Sequence, residues 1–400
     1  MRVIVVGNGL AGTIFSKTLR ELDKDIEIDI FAAEKYHYYP RPNLIEYVAG
    51  NLALNKMFAY PEDWYREQKI SVHLNRPVKV IHHRTKEVEL EGERREKYDY
   101  LFLASGSFAF LPPFKGVEKK GVFTLRTLDD ALAIMDYVKN HKKVAVIGGG
   151  LLGLEIARAV KSRGAEVEVV EYFGRLLPRQ LDTQCSSLLK NQMEKMGIKV
   201  HLGLTTEEVK GQEEAAGLRF RGGEELRVEM VIIAAGIRPD IGLARKAGLE
   251  VDRGLVVDDY LQTSSPFIFA AGDLIQHRGR MYGIIPATFE QARLAAPNIL
   301  GEKRKYGGTV PWNTLKVAGI YLTSVGLVEA EKETQQELVF EDREKGIYKK
   351  IILEDGFPLG AIWMGTKKGA GNISRAVTQR KNIEKWKDSI LKDEFDFSVI

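Results

Sequence analysis

The chain has almost no cysteine. Cys185 is the single one among 400 residues, which excludes an intramolecular disulfide framework and fits a reducing compartment, so the expected location is cytoplasmic. Long apolar runs are equally scarce. The first, Val3 to Val6, ends at Gly7 and is too short for the core of a signal peptide, and no stretch approaches the ~20 apolar residues of a membrane span. Charge of one sign is not in excess either: 59 Lys and Arg against 55 Asp and Glu leave a net +4. A general nucleic-acid binder, whose surface must answer phosphate, is thereby excluded. The seven histidines fall singly or adjacent, without Cys or carboxylate at ligand spacing, and no metal site is inferred.

What is present is a globular enzyme's composition. At roughly 100–200 residues per domain, the length allows two to four domains, and a 44% apolar share fills their cores. Two segments, Val3 to Glu34 and Val144 to Glu171, share one construction: a β-branched run, a glycine cluster, a helical stretch, a second strand and an acid. They lie too far apart for a solenoid repeat and are read as two dinucleotide-binding βαβ units, each with its own nucleotide. The fold class expected is α/β, with two Rossmann-like (three-layer ββα) domains, the second inserted in the first, followed by a C-terminal α+β domain. The boundaries are 1–110 with 240–309, then 111–239, then 310–400.

Strands are expected at Val78 to Ile81, Val88 to Leu90, Tyr100 to Ala104, Met230 to Ala235 and Phe267 to Ala271. In the last domain they are expected at Leu315 to Ile320, Tyr348 to Leu353 and Gly360 to Met364, with a final helix from Ile373 to Leu391. The polar Glu329 to Glu337 stretch reads as a solvated loop.

GNGLAG, with Gly7, Gly9, Leu10, Ala11 and Gly12, follows a strand and opens a helix, where glycines let backbone and helix dipole approach a pyrophosphate. The acid for the adenosine ribose is Glu34, with Asp29 the alternative. GGGLLG, with Gly148, Gly150, Leu151, Leu152 and Gly153, repeats the device, and Glu171 takes the ribose position. A carboxylate there repels a 2′-phosphate, which favours NADH over NADPH; Arg175, close behind, could soften that preference. Tyr36, Tyr38 and Tyr39 either flank a nucleotide or pack in a loop or core.

Together with LFLASG (Leu101 to Gly106), AAGIRPD (Ala234 to Asp240) and TSSPFIFAAGD (Thr263 to Asp273), these motifs resemble the pyridine-nucleotide disulfide oxidoreductase superfamily over almost the whole chain. YPRPNL (Tyr39 to Leu44), LRTLDDA (Leu125 to Ala131), RLLPRQLD (Arg175 to Asp182), GIIPATFEQARLAA (Gly283 to Ala296) and LKVAGI (Leu315 to Ile320) are similar to its NADH:rubredoxin reductase and nitrite reductase branch. The resemblance implies FAD in the first unit and NADH in the second. It implies that Arg41 neutralises the FAD pyrophosphate, that Asp273, after Gly272, hydrogen-bonds the ribitol, and that the helix start at Pro286, Ala287, Thr288 and Glu290 faces the flavin pyrimidine edge. Pro42, Val78, Ala104, Ser105, Gly106 and Arg126 complete the implied FAD contacts. Gly236 is implied beside the nicotinamide, and Glu155 near it and the flavin's reactive nitrogen.

One departure stands out. Relatives pair a Lys with the acid matching Glu155, and Glu46 holds that position here. Either two facing acids raise one pKa, or Arg41 becomes the partner, or Glu46 faces solvent. The resemblance also implies redox thiols near Asn43 in disulfide reductases and thiol peroxidases. None is present, Cys185 reads as a small buried hydrophobe, and electrons must leave the flavin directly.

The activity implied is hydride transfer from NADH to FAD, then single electrons to a small acidic carrier such as rubredoxin or ferredoxin. The alternatives are an NADH oxidase reducing dioxygen, a flavoprotein component of a nitrite reductase or oxygenase system, and, outside catalysis, an NADH-responsive redox sensor. Lys367 to Lys387 carries seven basic residues against Glu384 and is the expected docking segment. A homo-oligomer is compatible with all of these.

Overall fold

The computed structural model describes every residue except Val310, Pro311 and Ala318, with the backbone alone for Trp312–Val317. The expected boundary at 310 and one residue of LKVAGI therefore lie outside the described residues. The chain divides into two compact units: Met1–Tyr47 with Leu52–Phe108 and Ile237–Thr309, and Val48–Asn51 with Ala109–Gly236 and Val310–Ile400.

The first unit is built on a parallel sheet in the order Ile268–Ala270, Tyr100–Leu103, Arg2–Val6, Glu27–Phe31, Ile70–His73. Its central strand reads RVIVV and is buried from Val3 onward, as a sheet covered on both faces requires. Helices Leu10–Leu22 and Ile285–Ile299 pack on each other, and Phe15 stacks on Phe102 at 3.8 Å between ring centroids. An antiparallel sheet of Val78–His82, Glu87–Leu90 and Arg95–Lys97 adds a further layer. The core of this unit runs from Val3 to Tyr306 and draws on no residue of the insert.

Arg20 closes the first helix in an unusual way. It is 4% exposed, and its guanidinium donates to the carbonyls of Asp23, Lys24, Ile26, Gln68 and Lys69. The dipoles of these carbonyls, gathered at a helix C-terminus, take the place of a carboxylate.

Where the chain leaves this unit and returns, Ser107–Ala109 and Ile237–Pro239 pair as a two-stranded ribbon. Phe110 N–H donates to Gly236 O at 2.9 Å, and Asp240 N–H to Gly106 O at 3.0 Å.

The second unit repeats the parallel sheet, in the order Ile198–Leu202, Glu166–Glu171, Lys143–Ile147, Met230–Ile233, Val122–Thr124. The C-terminal sheet packs within this same unit. Buried side chains are the reason. Lys350 Nζ lies 3.0 Å from Asp182, Tyr348 OH donates to Asp182 at 2.5 Å, and Cys185 Sγ approaches Met364 Sδ at 3.8 Å.

That sheet is antiparallel: Trp312–Val317, Ile320–Gly326, Phe357–Met364, Ile347–Glu354, Gln336–Asp342. The expected strand Leu315 to Ile320 holds for Leu315–Val317, the end of the first strand, whereas Ile320 opens the next one and Gly319 has φ +89°. The expected last helix is also corrected. It spans Ala370–Thr378 only; Arg380 follows at φ +50°, and a new single turn starts at Glu384, whose N–H is capped by Asn382 at 3.0 Å. Ile383 and Ile390 mimic a continuing apolar face because both are buried, but from separate turns.

Candidate active site

Three glycines of the first unit divide the work of one turn. Gly7 has φ +106°, and a Cβ there would strike the Ala104 carbonyl. Gly12 lies on the Gly7 carbonyl, so a Cβ would part helix from strand. Between them Gly9 caps the helix with no side-chain bond, and a Cβ on it would meet no protein atom within 4 Å. The second unit is the same: Gly148 at φ +120° against Ala234, Gly153 against Gly148, and open space at Gly150. Unoccupied space before a helix N-terminus whose first N–H groups lack partners is a cradle for a pyrophosphate. Both turns fit a dinucleotide.

At the strand ends the acids differ. Asp29 is held inside by Arg2 at 2.9 Å and His73 at 2.9 Å, with 8% of its side chain exposed, whereas Glu34 keeps 30% of its side chain exposed. Arg41 Nη2 donates to Glu34 at 2.6 Å, and Tyr39 OH bonds the other oxygen. Burial opposes the Arg41 charge, but Glu34 and Tyr39 outweigh it and hold its pKa above the ordinary value. Arg41 thus sits with Glu34 at the strand end. Tyr38 and Tyr39 are buried, so packing accounts for Tyr38 and the hydrogen bond to Glu34 for Tyr39.

Glu171, only 6% exposed, is anchored by backbone: Gly149 N–H reaches it at 2.5 Å and Phe173 N–H at 2.8 Å. Arg175 is drawn elsewhere. Its guanidinium binds Glu329 at 2.8 Å, Thr183 at 3.3 Å and the Pro178 carbonyl at 3.2 Å. Tyr172 and Phe173 beside it are exposed.

The first unit holds most of the other expected residues, Gly272 among them. This glycine has φ +87°, and a Cβ on it would touch Ala11 and Thr288 at 3.4 Å, so the starts of both long helices converge there. Ser107 donates to Asp273 at 3.0 Å. Ala287 and Thr288 are buried while Pro286 and Glu290 are exposed, and the helix start carries no side-chain cap. Ala104 ends its strand, Ser105 Oγ reaches Asp240 O at 3.3 Å and Gly106 has φ +72°. Pro42 opens the helix Pro42–Ala49, with Glu46 half-buried on it. Val78 begins its strand at a bulge.

Others lie in the second unit. Glu155 pairs with Arg158 at 3.2 Å, one helical turn on, and falls in a different unit from Glu46 and Arg41. Arg126 also falls there; its N–H donates to Asp130 at 2.8 Å in the capping box of helix Leu128–Tyr137. Gly236 has φ +104° and open space beside it. Leu151 and Leu152 open the helix after GGG, Leu152 being 38% exposed.

Some functional neighbours have little sequence signal. Arg158 is legible from its i,i+3 spacing to Glu155. Ser107 and Gln291 are not, since their partners Asp273 and Gly272 are distant in sequence.

A family model described as pyridine nucleotide-disulphide oxidoreductase matches residues 1–295. The chain belongs to that family. The family binds FAD and a nicotinamide nucleotide, and the two cradles fit one pyrophosphate each. A second model, the rubredoxin NAD+ reductase C-terminal domain, matches residues 311–381.

Among relatives, a nitrite reductase [NAD(P)H] of Bacillus subtilis is 36% identical over 98% of this chain and 49% of its own length. An NADH oxidase of Methanocaldococcus jannaschii is 33% identical over 93% of this chain and 89% of the relative. The crystal structure of NADH:rubredoxin oxidoreductase from Clostridium acetobutylicum superposes with a TM-score of 0.81 at 29% identity, covering 95% of this chain and 96% of that one. The chain spans about half the length of the nitrite reductase relatives it matches.

This family member lacks a thiol on the helix Pro42–Ala49. Its one cysteine, Cys185, is fully buried, and burial together with Asp182 pushes the thiol well above its usual pKa. A buried protonated thiol is no nucleophile. Among the described residues no helix is long and apolar enough to cross a membrane.

Proposed function

We propose that this chain takes hydride from NADH onto FAD and releases single electrons to a small iron-bearing carrier of the rubredoxin or ferredoxin type. The observation that carries it is the pair of open glycine turns, each with its acid, in a chain without a redox thiol. FAD supplies conversion of a two-electron donor into one-electron steps. The residues do the rest. Gly7 to Gly12, Glu34, Arg41 and Asp273 hold FAD in a domain of 1–110 and 240–309; Gly148 to Gly153, Glu171, Gly236 and Glu155 hold NADH in 111–239. Residues 310–400 form the carrier-facing domain. Glu171 favours NADH over NADPH, and with Arg175 held by Glu329 little opposes that preference.

The NADH oxidase relative supports a second reading, reduction of dioxygen. Stopped-flow reoxidation separates the two: electron transfer to rubredoxin or ferredoxin faster than to air-saturated buffer is expected, whereas fast reoxidation by air with indifference to any carrier would leave the oxidase.

A further inference from the structure

The Gly272–Asp273 turn, on which the proposed function places the flavin ribityl chain, is held from behind by side chains that this function does not use. Gln291, 1% exposed, accepts the Gly272 N–H through Oε1 at 2.9 Å and donates through Nε2 to Tyr306 OH at 3.1 Å. Tyr306 OH lies 2.8 Å from Thr309 Oγ1, and Thr309 donates to Glu290 at 2.8 Å. An amide nitrogen only donates and a carboxylate only accepts, so the row has one direction: Gln291 to Tyr306 to Thr309 to Glu290.

Tyr306 is itself fixed. It is fully buried, its N–H donates to Asp259 O at 2.7 Å, and the His277 ring lies 4.9 Å away, tied to Asp259 at 3.0 Å. With Tyr306 donating onward to Thr309, its oxygen is the acceptor left for Gln291. A flipped Gln291 would set its NH2 against the Gly272 N–H, donor to donor.

We propose that Gln291 is a positioning residue for the flavin, its amide oriented by Tyr306, Thr309 and Glu290 so that it fixes the plane of the Gly272 peptide and hence the reach of Asp273. At φ +87° Gly272 has no side chain to limit rotation, and the bond from Gln291 supplies that limit. This inference rests on the assignment of Asp273 to FAD.

The test compares Gln291→Leu, Gln291→Glu, Tyr306→Phe and Asp273→Ala by FAD dissociation constant and flavin midpoint potential. Losing one buried hydrogen bond should weaken FAD binding roughly tenfold in Gln291→Leu, with a shifted potential. Gln291→Glu keeps an acceptor for Gly272 and should recover most of the affinity; Tyr306→Phe should fall between. Equal affinity in the Leu and Glu variants would overturn the proposal, as would native affinity and potential in Tyr306→Phe should the Leu variant not fold. Asp273→Ala retaining native FAD affinity would instead overturn the site assignment itself.

Discussion

At the scale of single residues, the open space beside Gly9 is the feature that most directly admits a ligand. Gly9→Val would place a branched side chain in that space, its Cβ at least 4 Å from any atom beyond the neighbouring residues. The fold should therefore survive while the purified protein loses its yellow colour. Stoichiometric FAD in that variant would refute the placement. Glu171→Ala makes a different point. Removing the buried carboxylate takes away repulsion of a 2′-phosphate, and the ratio of kcat/KM for NADH over NADPH should shrink by about tenfold, equivalent to ~1.4 kcal/mol. Because Gly149 and Phe173 also lose their acceptor, NADH efficiency itself should drop. An unchanged ratio would mean the ribose is read elsewhere.

At the scale of elements, the strand Ile347–Glu354 and the helix Thr183–Lys195 meet through one charged pair. Asp182 caps that helix, accepting the Cys185 N–H at 2.9 Å, and its other oxygen takes Lys350 and Tyr348. Both ions are nearly inaccessible, at 5% and 7% side-chain exposure. Lys350→Met should cost roughly 3–5 kcal/mol, because an unpaired buried carboxylate remains. Adding Asp182→Asn, which keeps the cap and drops the charge, should recover much of it in denaturant melts; a double variant no better than the single would show that the charge is not the cause.

The basic segment is more modest in structure than in sequence. Lys367 sits 4.2 Å over the Tyr321 ring, Lys385 4.1 Å over Trp386, and Lys387 pairs with Glu384. Arg375, Arg380 and Lys381 are exposed. Reversing Arg380 and Lys381 to Glu should slow carrier reduction and flatten its salt dependence, leaving reduction by NADH unchanged. Carrier kinetics at low salt that match the parent would place docking elsewhere.

These elements also show what a sequence can reveal. The two glycine turns were legible because turn, cradle and helix contact occupy positions a few residues apart, and each demands glycine for a reason of its own. The long terminal helix was misread because Ile373, Ile383 and Ile390 are all buried while the backbone between them turns at Arg380. The engagement of Arg41 with Glu34, of Arg175 with Glu329 and of Gln291 with Gly272 depends on tertiary packing, which no local period encodes.

At the scale of the whole molecule, buried phenols set an alkaline limit. Burial pushes Tyr38, Tyr98 and Tyr306 up to about 12, whereas an unfolded chain ionises its tyrosines near ~10. The folded pKa values are raised, so their stabilising effect is complete below pH ~10 and is lost as pH climbs from there through 12. The thermal midpoint should decline over that window. Tyr98→Phe should soften the decline, and because the Tyr98 hydroxyl has no hydrogen-bond partner among the described residues, it should also raise the midpoint at neutral pH. Calorimetry across pH 8–12 checks both; a slope as steep as the parent's would exclude Tyr98 as a contributor.

The ribbon formed by Ser107–Ala109 and Ile237–Pro239 has a consequence for descent. It brings the two ends of the inserted segment side by side, on a host whose core is complete without the guest. A segment entered and left at neighbouring points can be lengthened, exchanged for a homologue with another coenzyme preference, or transplanted, without rethreading the host sheet. One ancestral nucleotide-binding unit, copied into a loop of itself, would arrive at this arrangement in a single step.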